Sequence, residues 1–276
     1  MIRFFIFSLL AFAGLQAASQ ELYVYSEPAS NMTARSIAIK TSSVFGRTSN
    51  LRLVNRFTPE IQLGLSKNFM LHAGNTFSNM YSDKTRWESV YLYGKYRFLS
   101  IDDMHKHFRM AAFAEASYSR NDYMFDEVNI QGDRTGLQFG LIATELINKF
   151  AISGTISHTQ ALDPSRFDKV MYTPERLYQS INYSLSAGYL VLPFEYKSYD
   201  QLNMNVYAEL LGQRTMDRRT NFLDLATSFQ FIFNSNTKLN LGYRFPLKNN
   251  QHRGMQKSIL LSLEHTFFNA LKKKKN

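Results

Sequence analysis

From residue 34 onward the chain alternates apolar and polar residues over segments of about ten residues or more, and this period of two limits the fold more than any other feature. Twelve such segments stand out, at 34–46, 57–66, 68–78, 86–98, 107–119, 132–146, 149–159, 177–190, 202–213, 221–233, 237–246 and 254–268. Successive side chains of a strand point to opposite faces. Leu202, Met204, Val206, Ala208 and Leu210 therefore share one side, and Asn203, Asn205, Tyr207 and Glu209 the other. Leu239, Leu241, Tyr243 and Phe245 oppose Lys238, Asn240 and Arg244 in the same way, as Ile259, Leu261, Leu263 and Phe267 oppose Ser258, Ser262, Glu264 and Thr266. Each strand has a greasy side and a wet side, so a sheet buried on both faces is excluded.

Soluble sandwiches alternate too, and the connections decide between them and a barrel. Little more than Lys67, Asn148 or Asn234 to Asn236 separates some neighbours, while 120–131 and 160–176 are long. Tight turns on one rim and long loops on the other are the layout of an outer-membrane barrel, with the tight rim in the periplasm. Two tight-rim links, 99–106 and 191–201, are expected to be longer than this rule prefers. Phe69, Phe98, Phe108, Phe150, Tyr189, Phe233 and Phe267 fall at one rim, and Phe45, Phe57, Phe77, Tyr118, Tyr178 and Phe222 near the other. Two aromatic girdles are what a bilayer selects. The fold class expected is all-β, a transmembrane antiparallel up-and-down barrel of twelve strands, closed so that no sheet edge is left bare.

Ahead of the barrel, Arg3 precedes an apolar run to Gly14 and then the small residues Ala17, Ala18 and Ser19, which reads as a signal peptide cut near Ala17 to Ser19. The division expected is a signal peptide at 1–19, a periplasmic segment at 20–33, the barrel at 34–268 and a basic periplasmic tail at 269–276. With no cysteine, an acyl-anchored lipoprotein, a disulfide framework and thiolate metal sites are all excluded. A mean hydropathy of −0.28 excludes a bundle of membrane helices, each of which needs about 20 consecutive apolar residues. The net charge of +10 does not imply a nucleic-acid partner, because Arg3 leaves with the signal and Lys272 to Lys275 form a tail.

The last strand ends Leu263-Glu264-His265-Thr266-Phe267-Phe268, similar to the C-terminal assembly signal of outer-membrane proteins, here followed by a tail. The segment from Glu21 to Met32, with Tyr23, Tyr25 and Pro28, joined to a barrel of this size, resembles the porin-like outer-membrane proteins of the Bacteroidota. That resemblance implies a location, the outer membrane of a Gram-negative cell, and carries no activity. Outer-membrane phospholipase A is also a twelve-stranded barrel, but its chemistry needs His-x-Ser on one strand face, and the sequence contains none. The nearest approach, Ser157 and His158, places its two side chains on opposite faces. No enzyme is expected and no cofactor is implied.

Two acidic groups invite a metal reading: Asp102, Asp103, His105 and His107 in one link, and Asp122, Asp126, Glu127 and Asp133 in the loop after strand five. Solvated loops are the better account of both, and no metal site is assigned. A faint energy-coupling box at 21–25 is set aside because the chain is too small for a plugged 22-stranded transporter. The wet face carries Lys40, Lys95, Arg97, Arg109, Arg134, Lys238 and Arg244 against Glu60, Glu115, Glu209, Asp224 and Glu264, with His72. Small residues there, Gly64, Ser66, Gly74, Gly136, Gly140, Ser153, Ser180, Ser184 and Ser186, leave space for a path. The first expectation is a narrow channel for small hydrophilic solutes, with a slight anion preference from Lys95, Arg97 and Arg109 near the periplasmic mouth. The alternative is a closed structural or surface-binding barrel whose paired charges plug the lumen; an outer-membrane enzyme comes third. Expected partners are outer-membrane lipid, lipopolysaccharide, the barrel assembly machinery and the solutes themselves.

Overall fold

The computed structural model describes residues 23–48, 51–162, 177–195, 201–216 and 220–272. Among these, twelve strands run in order: β1 (Ser36–Arg47), β2 (Leu53–Gly64), β3 (Phe69–Ser78), β4 (Arg86–Asp102), β5 (Lys106–Ser119), β6 (Gly136–Ile147), β7 (Phe150–Ala161), β8 (Gln179–Leu192), β9 (Asn203–Thr215), β10 (Asn221–Phe233), β11 (Thr237–Asn249) and β12 (Ser258–Phe267). Every strand pairs antiparallel with its sequence neighbours, and β1 closes the barrel against β12, with Lys40 opposite Glu264. No helix among the described residues is long and apolar enough to cross a membrane; the apolar belt is made by strands.

Alternation determines the faces as expected. On β9, Asn203, Asn205, Tyr207 and Glu209 are buried inside the barrel, and on β11 and β12 Leu241, Ile259, Leu261 and Leu263 are exposed outside it. Tight turns use left-handed backbone where the sequence supplies suitable residues. Asn148 turns β6 into β7, and the adjacent pair Asn234 and Ser235 turns β10 into β11, all with positive φ. Polar side chains at these positions tolerate that conformation.

Several expected boundaries move. The 99–106 link shrinks to Asp103, Met104 and His105, closed by the Asp103 N–H donating to the Lys106 carbonyl at 2.8 Å. A bulge between Arg97 and Leu99 shifts the register by one residue, so that Ser100 and Asp102 face inward opposite Arg109 and His107. β6 starts at Gly136, which leaves Arg134 in the preceding loop rather than on a strand. Two members of the expected outer girdle also turn inward. Phe222 is buried, on the same side of β10 as Asp224, and Tyr178 packs against Val128, Ala161 and Leu177. Residues 1–19, most of 160–176, part of 191–201 and 273–276 of the expected tail lie outside the described residues.

The lumen is occupied from both ends. The sequence reading set 20–33 apart from the barrel as a periplasmic segment, yet residues 23–32 run inside it. Tyr23 packs on Ala151 and Tyr207 at one wall, while Met32 packs on Ala38 and Met70 at the other. From the opposite rim, the loop between β5 and β6 folds inward and buries Phe125, Val128 and Ile130.

Candidate functional site

Four neighbouring strands place a row of alternating charge on the inner wall. Lys238 lies opposite Glu264, Glu264 opposite Lys40, and Lys40 opposite Glu60. Lys238 Nζ donates to Glu264 Oε1 at 2.8 Å. Glu60 also takes a hydrogen bond from Gln62 Nε2 at 2.6 Å and one from the Tyr91 hydroxyl, and has His72 Nδ1 at 3.5 Å. Opposite signs on adjacent strands satisfy each charge locally, which a confined space demands. Tyr91 reaches Glu60 across β3 because Gly74 stands between them; a Cβ at Gly74 would meet the Tyr91 ring at 2.4 Å. The small residues thus do more than leave space. Gly74 holds a tyrosine ring, Gly188 holds the ring of Tyr207, and Gly64 lets the chain at Met32 and Thr33 approach.

Side chains of the wall capture the N-terminal segment. The backbone N–H groups of Val24, Tyr25 and Ser26 donate to the Glu209 carboxylate at 3.1, 3.0 and 2.8 Å, and the Ser26 hydroxyl donates at 2.7 Å. Across the lumen, Lys95 Nζ donates to the carbonyls of Pro28 and Ser30 at 2.7 and 2.9 Å and pairs with Glu27 at 3.2 Å. Thr144 accepts from the Ala29 N–H, and Arg109 donates to the Ser30 hydroxyl.

The inward loop is held by buried ion pairs. Arg56 pairs with Asp133 and has Glu88 at 3.5 Å. Arg253 and Arg244 both bond Asp224, at 2.8 and 2.6 Å, and Arg253 reaches Glu127 at 3.2 Å. Phe222 lies under both guanidinium groups. Gln213 clamps Val128 by accepting from its N–H and donating to its carbonyl. Arg134 donates to the Leu177 carbonyl between the rings of Tyr123 and Tyr178. Burial, with Asp126 alongside, pushes the Tyr123 hydroxyl up to about 12, so it stays a donor to that carboxylate at neutral pH.

Between the two inward segments lies a cavity of about 510 Å³. Of the thirteen residues expected on a path, Lys40, Glu60, His72, Glu115, Arg244 and Glu264 line it. The others serve elsewhere. Lys95 and Glu209 hold the N-terminal segment, Arg109 bonds Ser30 and Asp102, Arg97 reaches Asn68, Lys238 pairs with Glu264, Asp224 lies beneath two arginines, and Arg134 belongs to the loop. The sequence reading missed Glu27, Arg56, Glu88 and Arg253. Arg56 shares the parity of Glu60 and was lost only because β2 begins earlier than expected. Glu88 sits at a register shift opposite Thr76 and Phe77, where Glu88 and Ser89 both turn inward, so no strict alternation could find it.

The metal candidates resolve into ion pairs. Asp102 bonds Ser100, His107 and Arg109, while Asp133 and Glu127 face arginines. No cluster of three or more metal-ligating side chains exists among the described residues. Ser157 is buried inside, whereas His158 lies on the other face against Phe139, so the two do not meet as nucleophile and base.

No protein-family model matches the chain, and no curated protein sequence matches it. Among solved structures it is similar to the KdgM porin, with 8% identity and a TM-score of 0.53 over 84% of this chain and 99% of that one. It is also similar to an outer membrane channel from Pseudomonas putida F1, with 11% identity and a TM-score of 0.54 over 89% and 100%. At these identities the likeness is one of fold, and the fold shared is that of whole outer-membrane β-barrels.

Proposed function

We propose that the protein is a narrow channel of the bacterial outer membrane for small hydrophilic solutes. The observation that carries this reading is the cavity inside the barrel, whose lining mixes hydroxyl, amide and charged side chains such as Ser42, Thr58, Gln138, Asn182 and Lys40. A lumen that served only to pack would be filled at interior density and leave no such space. The apolar outer face, with Phe98, Tyr189 and Phe267 exposed at the tight rim, suits lipid, and lipopolysaccharide and the barrel assembly machinery complete the expected partners. The fold shared with the KdgM porin and with the Pseudomonas channel supports the same assignment.

A slight anion preference rests on Arg97 at the tight rim, because the N-terminal segment engages both Lys95 and Arg109, and Arg109 also pairs with Asp102. The buried ion pairs and the two inward segments favour one second reading, a closed structural barrel. Single-channel recording of the purified protein in planar bilayers separates the two. Discrete, small conductance steps are expected; a folded barrel that inserts but never conducts belongs to the closed reading.

A further inference from the structure

We propose that Glu209 and Lys95 form a binding site for a short, bent peptide segment, that residues 23–30 are its displaceable occupant, and that their seating narrows the lumen. The inference rests on the channel reading and adds a regulatory element to it. Among the described residues, every hydrogen-bond partner of the Lys95 ammonium belongs to the segment, and all partners of the Glu209 carboxylate except Ser186 do as well. Both side chains are fully buried. An unpaired charge in such a place costs heavily, so the two residues are matched to a ligand that brings amide N–H groups to one and carbonyls to the other. A short backbone bent at Val24 to Ser26 does both, since the bend turns successive N–H groups to one side where an extended chain would alternate them. Glu209 takes three successive N–H groups and, on the far wall, Lys95 takes the two carbonyls of Pro28 and Ser30.

The segment is also distinct from the wall in how it is held. Its inward run from Tyr23 to Ser30 joins no strand ladder, and its polar contacts there are made with side chains. Withdrawal therefore breaks no sheet and returns Glu209 and Lys95 to a water-accessible lumen. Tyr23, Val24, Tyr25, Ser26, Glu27 and Pro28 form one side of the cavity, so their position sets its width.

The absence of cysteine permits a direct test. The Ser26 and Ser186 hydroxyl oxygens lie 2.8 Å apart, close enough for Ser26→Cys with Ser186→Cys to form a disulfide that locks the segment. In planar bilayers the oxidised double variant should hold a low conductance, and reductant should raise it about twofold or more as the segment becomes free to leave. A second variant lacking residues 20–32, checked for heat-modifiable migration, should conduct at the raised level. A synthetic peptide of residues 20–33 should bind it and bring conductance down again. Glu209→Gln with Lys95→Met in that deletion should abolish peptide binding, measured by fluorescence anisotropy of the labelled peptide. Equal conductance with and without the disulfide and the deletion would overturn the narrowing. Failure of the peptide to bind the folded deletion barrel would overturn the site. Peptide binding that depends on Glu209 and Lys95, in a barrel that never conducts, would keep the site and remove the channel reading instead.

Discussion

The strands of the wall bond to one another through backbone ladders, and most of their side chains need only the right polarity on each face, Gly74 and Gly188 beside their tyrosine rings being exceptions. The N-terminal segment and the β5–β6 loop are held inside by particular side chains: Glu209 and Lys95 for one, Arg56, Asp133, Asp224, Arg253 and Gln213 for the other. The wall therefore tolerates many substitutions that preserve the alternation. What fills it depends on a few charged residues, each with several partners. This contrast predicts where single changes do most harm.

The largest effect should come from Asp224, which is fully buried and accepts from both Arg244 and Arg253. Asp224→Ala leaves two guanidinium groups facing each other with only Glu127 to share, and breaking a buried pair costs about 3–5 kcal/mol. Denaturant unfolding of the barrel refolded into liposomes should register this loss, and limited proteolysis should show the β5–β6 loop released first. A loss below about 1 kcal/mol would mean that water already screens these charges and that the loop is not held by them.

Next comes a test of the wall. Leu241 is exposed on the outer face, beside Phe229 and Leu261 on the neighbouring strands, while Asn240 is buried inside the cavity. Leu241→Arg should destabilise the barrel by about 2–4 kcal/mol if it lies near the bilayer midplane. Asn240→Arg, one residue away, should cost much less and act on the lumen. Equal folding defects would break the assignment of faces for this strand.

These two cases also mark how far the sequence could be read. The faces of Leu241 and Asn240 are legible in the sequence because alternation is local: a period of two needs only neighbouring residues. Twelve strands, the tight turns at Asn148 and Asn234, and the inward charges of β1, β2, β9, β11 and β12 followed from it. Asp102 and Glu88 did not, because single-residue bulges reverse parity and leave little local signature. The N-terminal segment was beyond reach for another reason. Its hydrogen bonds to Glu209 span up to 185 residues, and a short stretch of mixed polarity ahead of a barrel reads the same whether it enters the lumen or leaves it. Ser186, read as leaving room for a path, instead donates to Glu209 and meets the Ser26 hydroxyl.

The smallest expected effect falls on ion selectivity, where wall and contents meet in the row Lys238, Glu264, Lys40 and Glu60. Lys40 and Glu60 both line the cavity, and each sits opposite a charge of the other sign. Lys40→Gln leaves Glu60 and Glu264 without the ammonium between them, so the lining becomes more negative and cations should be favoured. Glu60→Gln removes a carboxylate from the same row and should shift preference toward anions. Neither change touches the outer face or the segment bound by Glu209 and Lys95, but each removes one partner from a row of paired charges, so both variants are first checked for heat-modifiable migration. Reversal potentials across a KCl gradient should therefore move in opposite directions for the two variants. The separation should shrink as salt rises, because the Debye length falls from about 10 Å at 0.1 M to about 3 Å at 1 M. Identical reversal potentials in both variants would place the conducting path away from this row and leave its charges a purely structural ladder of the wall.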